Sequence, residues 1–376
     1  MDTITQGLLG AATAQLGFRQ RIGRDATWVA AAAAVVPDLD IFIAPLLSLT
    51  GIEAGDLAQQ RFHRGLTHSL LFAPVLSLPI ALLWRRLRRK ALAVGRGPGR
   101  AHGPPLRLLY ACVLLAVFTH PLLDWCTSYG TRLLEPLTDA RYAIDAAPII
   151  DLIYTPLLVL TLLGCWLARK VARRRGGAEA DVPARADPAP RATLAIGWVG
   201  FAISVGYLAA GRLLHDRAID RAAGLVAAER GVRADAYPAL GSIFLWRVVF
   251  ETDAAWHAVR VHQFSGAPPE AWRHTRVAKA APNRWIEKAQ ALEEYRTYRW
   301  FAGGRVRAEY ERMDGLHVVG FHDMRYSGSS DGVESLWPLV VQFHDDGRVL
   351  LAERRHPRRA RFGQYAAALW HDLWDP

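Results

Sequence analysis

The stretch His63-Arg64-Gly65-Leu66-Thr67-His68-Ser69 sets two imidazoles and a guanidinium directly against the apolar run of residues 70–84. A charged side chain at the centre of a membrane helix costs roughly 2.5–3.5 kcal/mol on insertion scales, and less near the ends, where it can snorkel. Neighbouring apolar segments are interrupted in the same way, by Pro37-Asp38-Leu39-Asp40, by His120-Pro121-Leu122-Leu123-Asp124, and by Asp145 and Asp151. These are metal-ligand residue types, placed where a membrane helix carries them least easily.

Working outward, six apolar stretches cover residues 3–18, 26–44, 66–84, 106–126, 148–168 and 192–214. The first falls short of the roughly 20 residues that span a bilayer as a straight helix. The composition is 51% hydrophobic, with the charges packed into short clusters, which suggests a membrane protein rather than a single soluble core. Eighteen Lys and Arg residues lie in the loops after the first, third and fifth stretches and four in the alternate loops. The positive-inside rule makes the first set cytoplasmic and places both termini outside. Asp38, Asp40, His63, His68, His120 and Asp124 then gather near one plane at the outer face, with Asp145 and Asp151 beside them.

The formal charge of +11 is uneven: residues 1–211 hold 22 Lys/Arg against 14 Asp/Glu. Most of this excess sits in two loops between apolar runs, the pattern of topology-setting charge rather than of a nucleic-acid groove, so nucleic acid is not an expected partner. Cys112, Cys126 and Cys165 lie in or at the ends of apolar segments without paired spacing and read as small hydrophobes. The first eighteen residues carry no Lys or Arg, so no cleavable leader is expected.

After residue 214 the period changes. A charged amphipathic continuation over residues 212–230 precedes strand-like runs at 242–251, 255–263, 305–312, 317–325, 336–344 and 349–354. A helix is expected over 284–300, and Asp346-Gly347 is a hairpin turn. The chain thus divides into a polytopic α-helical membrane domain of about six transmembrane helices (1–214) and an extracytoplasmic α+β domain (215–376), whose length supports its own core. Eight tryptophans in the second part fill that core or touch lipid headgroups. His257 and His262, like His317 and His322, are five apart in strand-like sequence, so each pair points to opposite faces and suits core or surface roles.

For any one polar residue at the membrane interface, snorkelling or helix capping is a sufficient reading. The coincidence of three His and several Asp from separate segments favours a metal site. His120 and Asp124, four apart, share a helix face; His63 and His68 can converge across a loop-to-helix junction; Asp38 and Asp40 flank one residue and can point the same way. Imidazole with carboxylate suits zinc, manganese or iron, and the absence of thiolate argues against a structural zinc cage.

The order Met1-Asp2-x-x-Thr5-Gln6-Gly7, Pro37-Asp38-x-Asp40, His63-Arg64-Gly65-x-Thr67-His68-Ser69 and His120-Pro121-x-x-Asp124, with Tyr129-Gly130, Arg141-Tyr142 and Ile150-Asp151-x-x-Tyr154, resembles the membrane-bound metal-dependent hydrolase family, the YdjM-like inner-membrane proteins. The resemblance covers roughly residues 1–168 and implies an inner-membrane location, a metal centre and hydrolase activity. Many relatives resemble Thr-His near the N-terminus where this chain has Gln6; glutamine is a poor metal ligand, which casts Gln6 as a hydrogen-bonding group behind the ligands.

The expected mechanism is hydrolysis of a lipid-borne or interfacial ester, phosphate or amide at the outer face of the bilayer. His63, His68, His120 and Asp124 would hold a divalent metal, zinc first, with Asp38 and Asp40 as further ligands, as a second-metal bridge or as the proton acceptor, and Arg64 would stabilise charge on the substrate. The rival expectation is a non-catalytic protein, an ion-binding or transport element or an anchor for the C-terminal domain, since intramembrane ionisable groups mark ion pathways as readily as active sites.

Overall fold

A computed structural model describes residues 1–49, 57–88, 104–175, 187, 189–327 and 331–355. Much of the two basic linkers, and Trp370 and Trp374, lie outside the described residues. The chain separates into two compact units: Met1–Asp40, Arg64–Ile144 and Ile149–Ala210 form one, and Ile41–His63, Asp145–Pro148 and the described residues from Gly211 onward form the other.

In the first unit, α1 (Thr3–Thr13) is eleven residues long, about 16 Å at 1.5 Å per residue and therefore too short to cross a bilayer. Its N-terminus is capped by Asp2, whose carboxylate accepts from the Thr5 N–H at 3.0 Å. A turn at Gly17 (φ 125) leads into α2 (Phe18–Ile22) and α3 (Asp25–Val35). A side chain at Gly10 would put its Cβ 2.4 Å from the Ala30 carbonyl oxygen, so the absence of one lets α1 lie against the Ala-rich face of α3. Against the other face of α3 packs the helix Leu106–Trp125, through buried Val29, Ala33, Cys112 and Val113.

The end of α3 follows from Pro37, which has no N–H for the ladder and whose ring clashes with the preceding turn. Residues Val36–Phe42 tighten into a 3-10 segment in which Asp38 and Asp40 are buried while Leu39 and Phe42 are more than half exposed. With carboxylates turned in and apolar side chains turned out, the pattern is the reverse of a water-soluble surface, as a lipid-facing segment requires. The chain continues through α4 (Ile43–Leu49) and α5 (Ala58–Phe62) of the second unit.

Arg64 adopts a left-handed backbone (φ 59) that turns the chain into a 3-10 turn, Leu66–His68, ahead of α6 (Ala73–Leu87). Next come α7 (Leu106–Trp125), α8 (Tyr154–Arg175) and α9 (Pro190–Ala222). Among the described residues, four helical stretches are long and apolar enough to cross a membrane: Asp25–Leu47, Leu106–Trp125, Tyr154–Arg175 and Pro190–Val226. The pair Gln60–His68 and Ala73–Leu87, bent by 74°, makes a fifth if it is one broken span. The six apolar stretches of the sequence thus become four or five crossing candidates plus the short α1.

The described residues of the second unit hold two four-stranded antiparallel sheets. One has the order β1 (Arg233–Pro238), β2 (Leu245–Glu251), β3 (Ala255–His262), β4 (His274–Ala278); the other β5 (Val306–Met313), β6 (Leu316–Asp323), β7 (Leu339–Phe343), β8 (Val349–Arg354). β1 and β4 carry no alternation strong enough to read from sequence. The helix expected over 284–300 is two, α10 (Arg284–Gln290), capped by Asn283, and α11 (Glu293–Phe301). Their Trp285, Ile286, Ala289 and Tyr298 cover the face of β6 and β7 formed by Val319, Phe321, Leu339, Val341 and Phe343. Helices and antiparallel sheets together make this an α+β unit.

Candidate metal centre

Four side chains from three segments of the first unit meet in its interior: Asp38 from the 3-10 segment, His68 from the turn before α6, and His120 and Asp124 from α7. One ligand atom from each lies within 4.8 Å of the other three. The Nε2 atoms of His68 and His120 are 2.9 Å apart. Asp38 Oδ1 lies 3.5 Å from His68 Nε2 and 3.3 Å from His120 Nε2. Asp124 Oδ2 is 3.5 Å from each of the same nitrogens. The helical spacing of four puts His120 and Asp124 on one face, and α7 passes Pro121 without breaking.

The outer nitrogens of the two imidazoles fix what the inner ones can do. His120 Nδ1 is 2.5 Å from the Ala34 carbonyl oxygen, which can only accept, so Nδ1 carries the proton and Nε2 of the neutral ring presents a lone pair. His68 Nδ1 faces Asp40 Oδ2 at 3.2 Å and Thr67 Oγ1 at 3.0 Å. Donation to Asp40 likewise leaves the His68 Nε2 lone pair inward. Two lone pairs and two carboxylate oxygens then converge on one point. Asp124 Oδ2 is buried without a hydrogen-bond partner among the described residues. A single proton satisfies one pair of these atoms, whereas a cation at their centre satisfies all four. Tetrahedral zinc with ligands at 2.0–2.2 Å has ligand–ligand edges of about 3.3–3.6 Å; the separations that involve an Nε2 atom are 2.9–3.5 Å, and all four donor atoms lie within 4.8 Å of one another. The donors fit a divalent ion with nitrogen and oxygen preference.

Charge points the same way. Asp38, Asp40 and Asp124 are buried with one guanidinium, that of Arg64, leaving the side chains two negative charges in excess when the imidazoles are neutral. The Met1 amino nitrogen lies 2.5 Å from Asp124 Oδ1 and offsets part of that excess when protonated. The remainder favours a cation.

A second layer holds the donors in place. Thr3 Oγ1 donates to Asp38 Oδ2 at 2.8 Å. Gln6 Nε2 donates to Asp124 Oδ1 at 2.9 Å and to the His120 carbonyl at 3.2 Å, so Gln6 stands behind the donors. Asp40 Oδ2 accepts from the Arg64 N–H at 3.0 Å and from Thr67 Oγ1 at 2.9 Å. Arg64 Nε is 3.0 Å from Asp124 Oδ2 but out of line for a hydrogen bond, so this contact is an ion pair. Its Nη1 donates to Thr127 Oγ1 at 3.0 Å, and its guanidinium stacks 4.6 Å from the Tyr129 ring centroid. Tyr129 and Gly130 are held in turn by Arg141, which donates to both of their carbonyls.

Each expected site residue can therefore be placed. Asp38, His68, His120 and Asp124 form the four-donor group; Asp40 touches His68 from behind; Arg64, expected to face substrate, is 4% exposed and engaged by Asp124, Thr127 and Tyr129. His63 is not among the four; it ends the segment Ile41–His63 of the second unit. Asp151 caps α8, accepting from the Ile153 and Tyr154 N–H groups at 2.8 Å, and Asp145 belongs to the second unit. Thr3 and Thr127 carried no signal in the sequence, since a lone threonine in an apolar run more often bonds its own helix backbone.

The profile of the YdjM inner membrane protein family matches residues 1–215. The chain belongs to this family. The YdjM match ends within α9, so all four donors, Asp40 and Arg64 lie inside it while every strand among the described residues lies beyond it. Membership and the apolar helices together make this an inner membrane protein. No curated protein and no solved structure matches the chain.

Proposed function

We propose that the chain is a metal-dependent hydrolase of the inner membrane, with Asp38, His68, His120 and Asp124 holding one divalent ion, zinc by preference. The observation that carries this reading is the convergence of the two Nε2 atoms, 2.9 Å apart, with one oxygen each of Asp38 and Asp124 at 3.3–3.5 Å from them. A divalent ion bound there would supply Lewis acidity, polarising an ester or phosphoryl oxygen and acidifying water. Asp40 holds the His68 tautomer, and Arg64 acts through Asp124 by fixing its orientation and offsetting its charge. Asp38 is 8% exposed while the other three donors are fully buried, so the approach from outside runs past Asp38. The substrate class is a lipid-borne or interfacial ester or phosphoester, and the positive-inside reading puts the site and the C-terminal α+β domain at the outer face.

One observation favours a second reading. Four protein donors already complete a tetrahedron, and a site closed by protein is structural, whereas a catalytic one keeps a position open. The two readings separate on turnover. The full chain in detergent, loaded with zinc or stripped by chelator, is offered phosphoester, ester and amide substrates beside Asp38→Asn. The hydrolase reading expects metal-dependent turnover of at least one class, lost in the variant. Bound metal without turnover of any class leaves the structural reading. Orientation is read by reporter fusions after Arg89 and after Thr138; a cytoplasmic signal at Thr138 reverses the topology.

A further inference from the structure

Away from the metal centre, the first unit carries a groove of about 830 Å³ bounded by α1, α3 and α8, within the roughly 300–1,000 Å³ of small-molecule sites. Its walls are apolar along most of their length: Ile4, Gly7, Leu8 and Ala11 from α1, Ala31 from α3 and Leu162 from α8. Trp28 and Trp166, each more than half exposed, line the same groove. At one end the lining changes to cations, with Arg19 inside and Arg24, Arg169, Lys170, Arg173 and Arg174 around it; among the described residues no acidic one lines it. By the positive-inside rule this end faces the cytoplasm.

Exposed cations and indoles at a helix end are ordinary membrane-interface features, and they account for Lys170, whose Nζ sits 4.7 Å over the Trp166 ring. They do not account for Arg19. That side chain is 7% exposed, and its Nη1 is buried with no hydrogen-bond partner among the described residues. Arg169 beside it is already matched, by Asp187 at 3.3 Å and by Gln15. The carboxylate whose charge reaches Arg19, that of Asp187, already accepts from Arg169, Thr193 and the Ala189 N–H; a guanidinium stays charged at neutral pH, and burying one without a hydrogen-bonded anion is costly.

We propose that this groove binds one anionic phospholipid, its phosphate taken by Arg19 and the rim cations and an acyl chain lying along α1 between Trp28 and Trp166. Apolar walls ending in a cationic pocket match such a molecule at both ends, and basic pockets between membrane helices are known to take anionic headgroups. A free phosphate would use the cations and leave the apolar length unfilled. The site is independent of the hydrolase reading, because it shares no residue with the four donors.

The test is native mass spectrometry of the full chain in mild detergent with equal amounts of phosphatidylglycerol and phosphatidylcholine added. One phosphatidylglycerol per chain is expected to be retained, at least about tenfold over phosphatidylcholine, whose phosphate is accompanied by a choline cation that the rim arginines repel. Arg19→Gln is expected to cut retention about tenfold. Ala31→Phe, which narrows the groove while keeping every cation, is expected to cut it as well, and it serves if Arg19→Gln does not purify. Arg85→Gln/Arg86→Gln, at the end of α6 and outside the groove, is expected to leave retention unchanged. Equal retention of the two lipids, an equal loss in the Arg85/Arg86 variant, or complete displacement by excess inorganic phosphate would overturn the proposal.

Discussion

Replacing Asp40 with asparagine tests whether the carboxylate behind His68 matters to the centre without being one of its donors. Asp40 Oδ2 accepts from the Arg64 N–H and Thr67 Oγ1 and faces His68 Nδ1 at 3.2 Å. Asparagine keeps the shape but removes the charge that holds the proton on Nδ1, so the lone pair on Nε2 becomes less basic and less firmly aimed. Partners of this kind behind a metal-bound histidine are worth 10- to 100-fold in metal affinity, about 1.4–2.7 kcal/mol. Asp38→Asn removes a donor outright and should cost considerably more. The assay is zinc affinity of the detergent-purified chain by competition with a chelator of known strength, with thermal melts confirming that each variant is folded. Wild-type affinity in Asp40→Asn, or a loss as large as that of Asp38→Asn, would refute the division of labour between the two carboxylates.

Other consequences are independent of that one. Gln6→Leu takes a buried donor from Asp124 Oδ1 and from the His120 carbonyl; about 1–3 kcal/mol of stability should be lost, read as a lower melting temperature of the solubilised chain. An unchanged melt would show the contact to be idle. Gly10→Val forces a side chain into the 2.4 Å approach to Ala30, and overpacking of this kind costs about 1–3 kcal/mol or more; a melt equal to wild type would place α1 elsewhere. In β5, hydrogen bonding from His322, assisted by Arg307, brings the Glu309 carboxyl down to about 2 from an ordinary 4.5. A depressed folded value gives stability that is fully present above pH 4.5 and lost as the pH falls from there towards 2. Glu309→Gln should remove that part of the acid dependence of unfolding, and an unchanged acid profile would count against the pairing. Asp151→Ala deprives α8 of its cap and Tyr207 of an acceptor at 2.8 Å, a loss of about 1 kcal/mol or more on thermal unfolding.

The sequence made the helices legible where apolar runs were long, and it made the donors legible where polar residues broke those runs. His120 and Asp124 could be paired from spacing alone because α7 is regular through both. Asp38 and Asp40 were harder: a period of two suggested carboxylates pointing together, whereas the 3-10 winding after Pro37 sends them to opposite edges of the His68 ring. His63 and His68 looked equivalent by residue type, yet the left-handed turn at Arg64 lies between them and only His68 reaches the four-donor group. Arg64 itself reads from sequence as a free cation near a site; its ion pair with Asp124 depends on contacts 60 residues apart in the chain, which no local pattern encodes. In the second unit the hairpin at Asp346-Gly347 and the aromatic strands were plain, while β4, a five-residue edge strand that is mostly polar, was not.

One divalent ion is expected among Asp38, His68, His120 and Asp124. Elemental analysis of the purified chain beside a His68→Ala/His120→Ala variant tests it most directly. The structure predicts about one zinc, manganese or iron ion per wild-type chain and almost none in a folded double variant. Equal metal content in the two would contradict it.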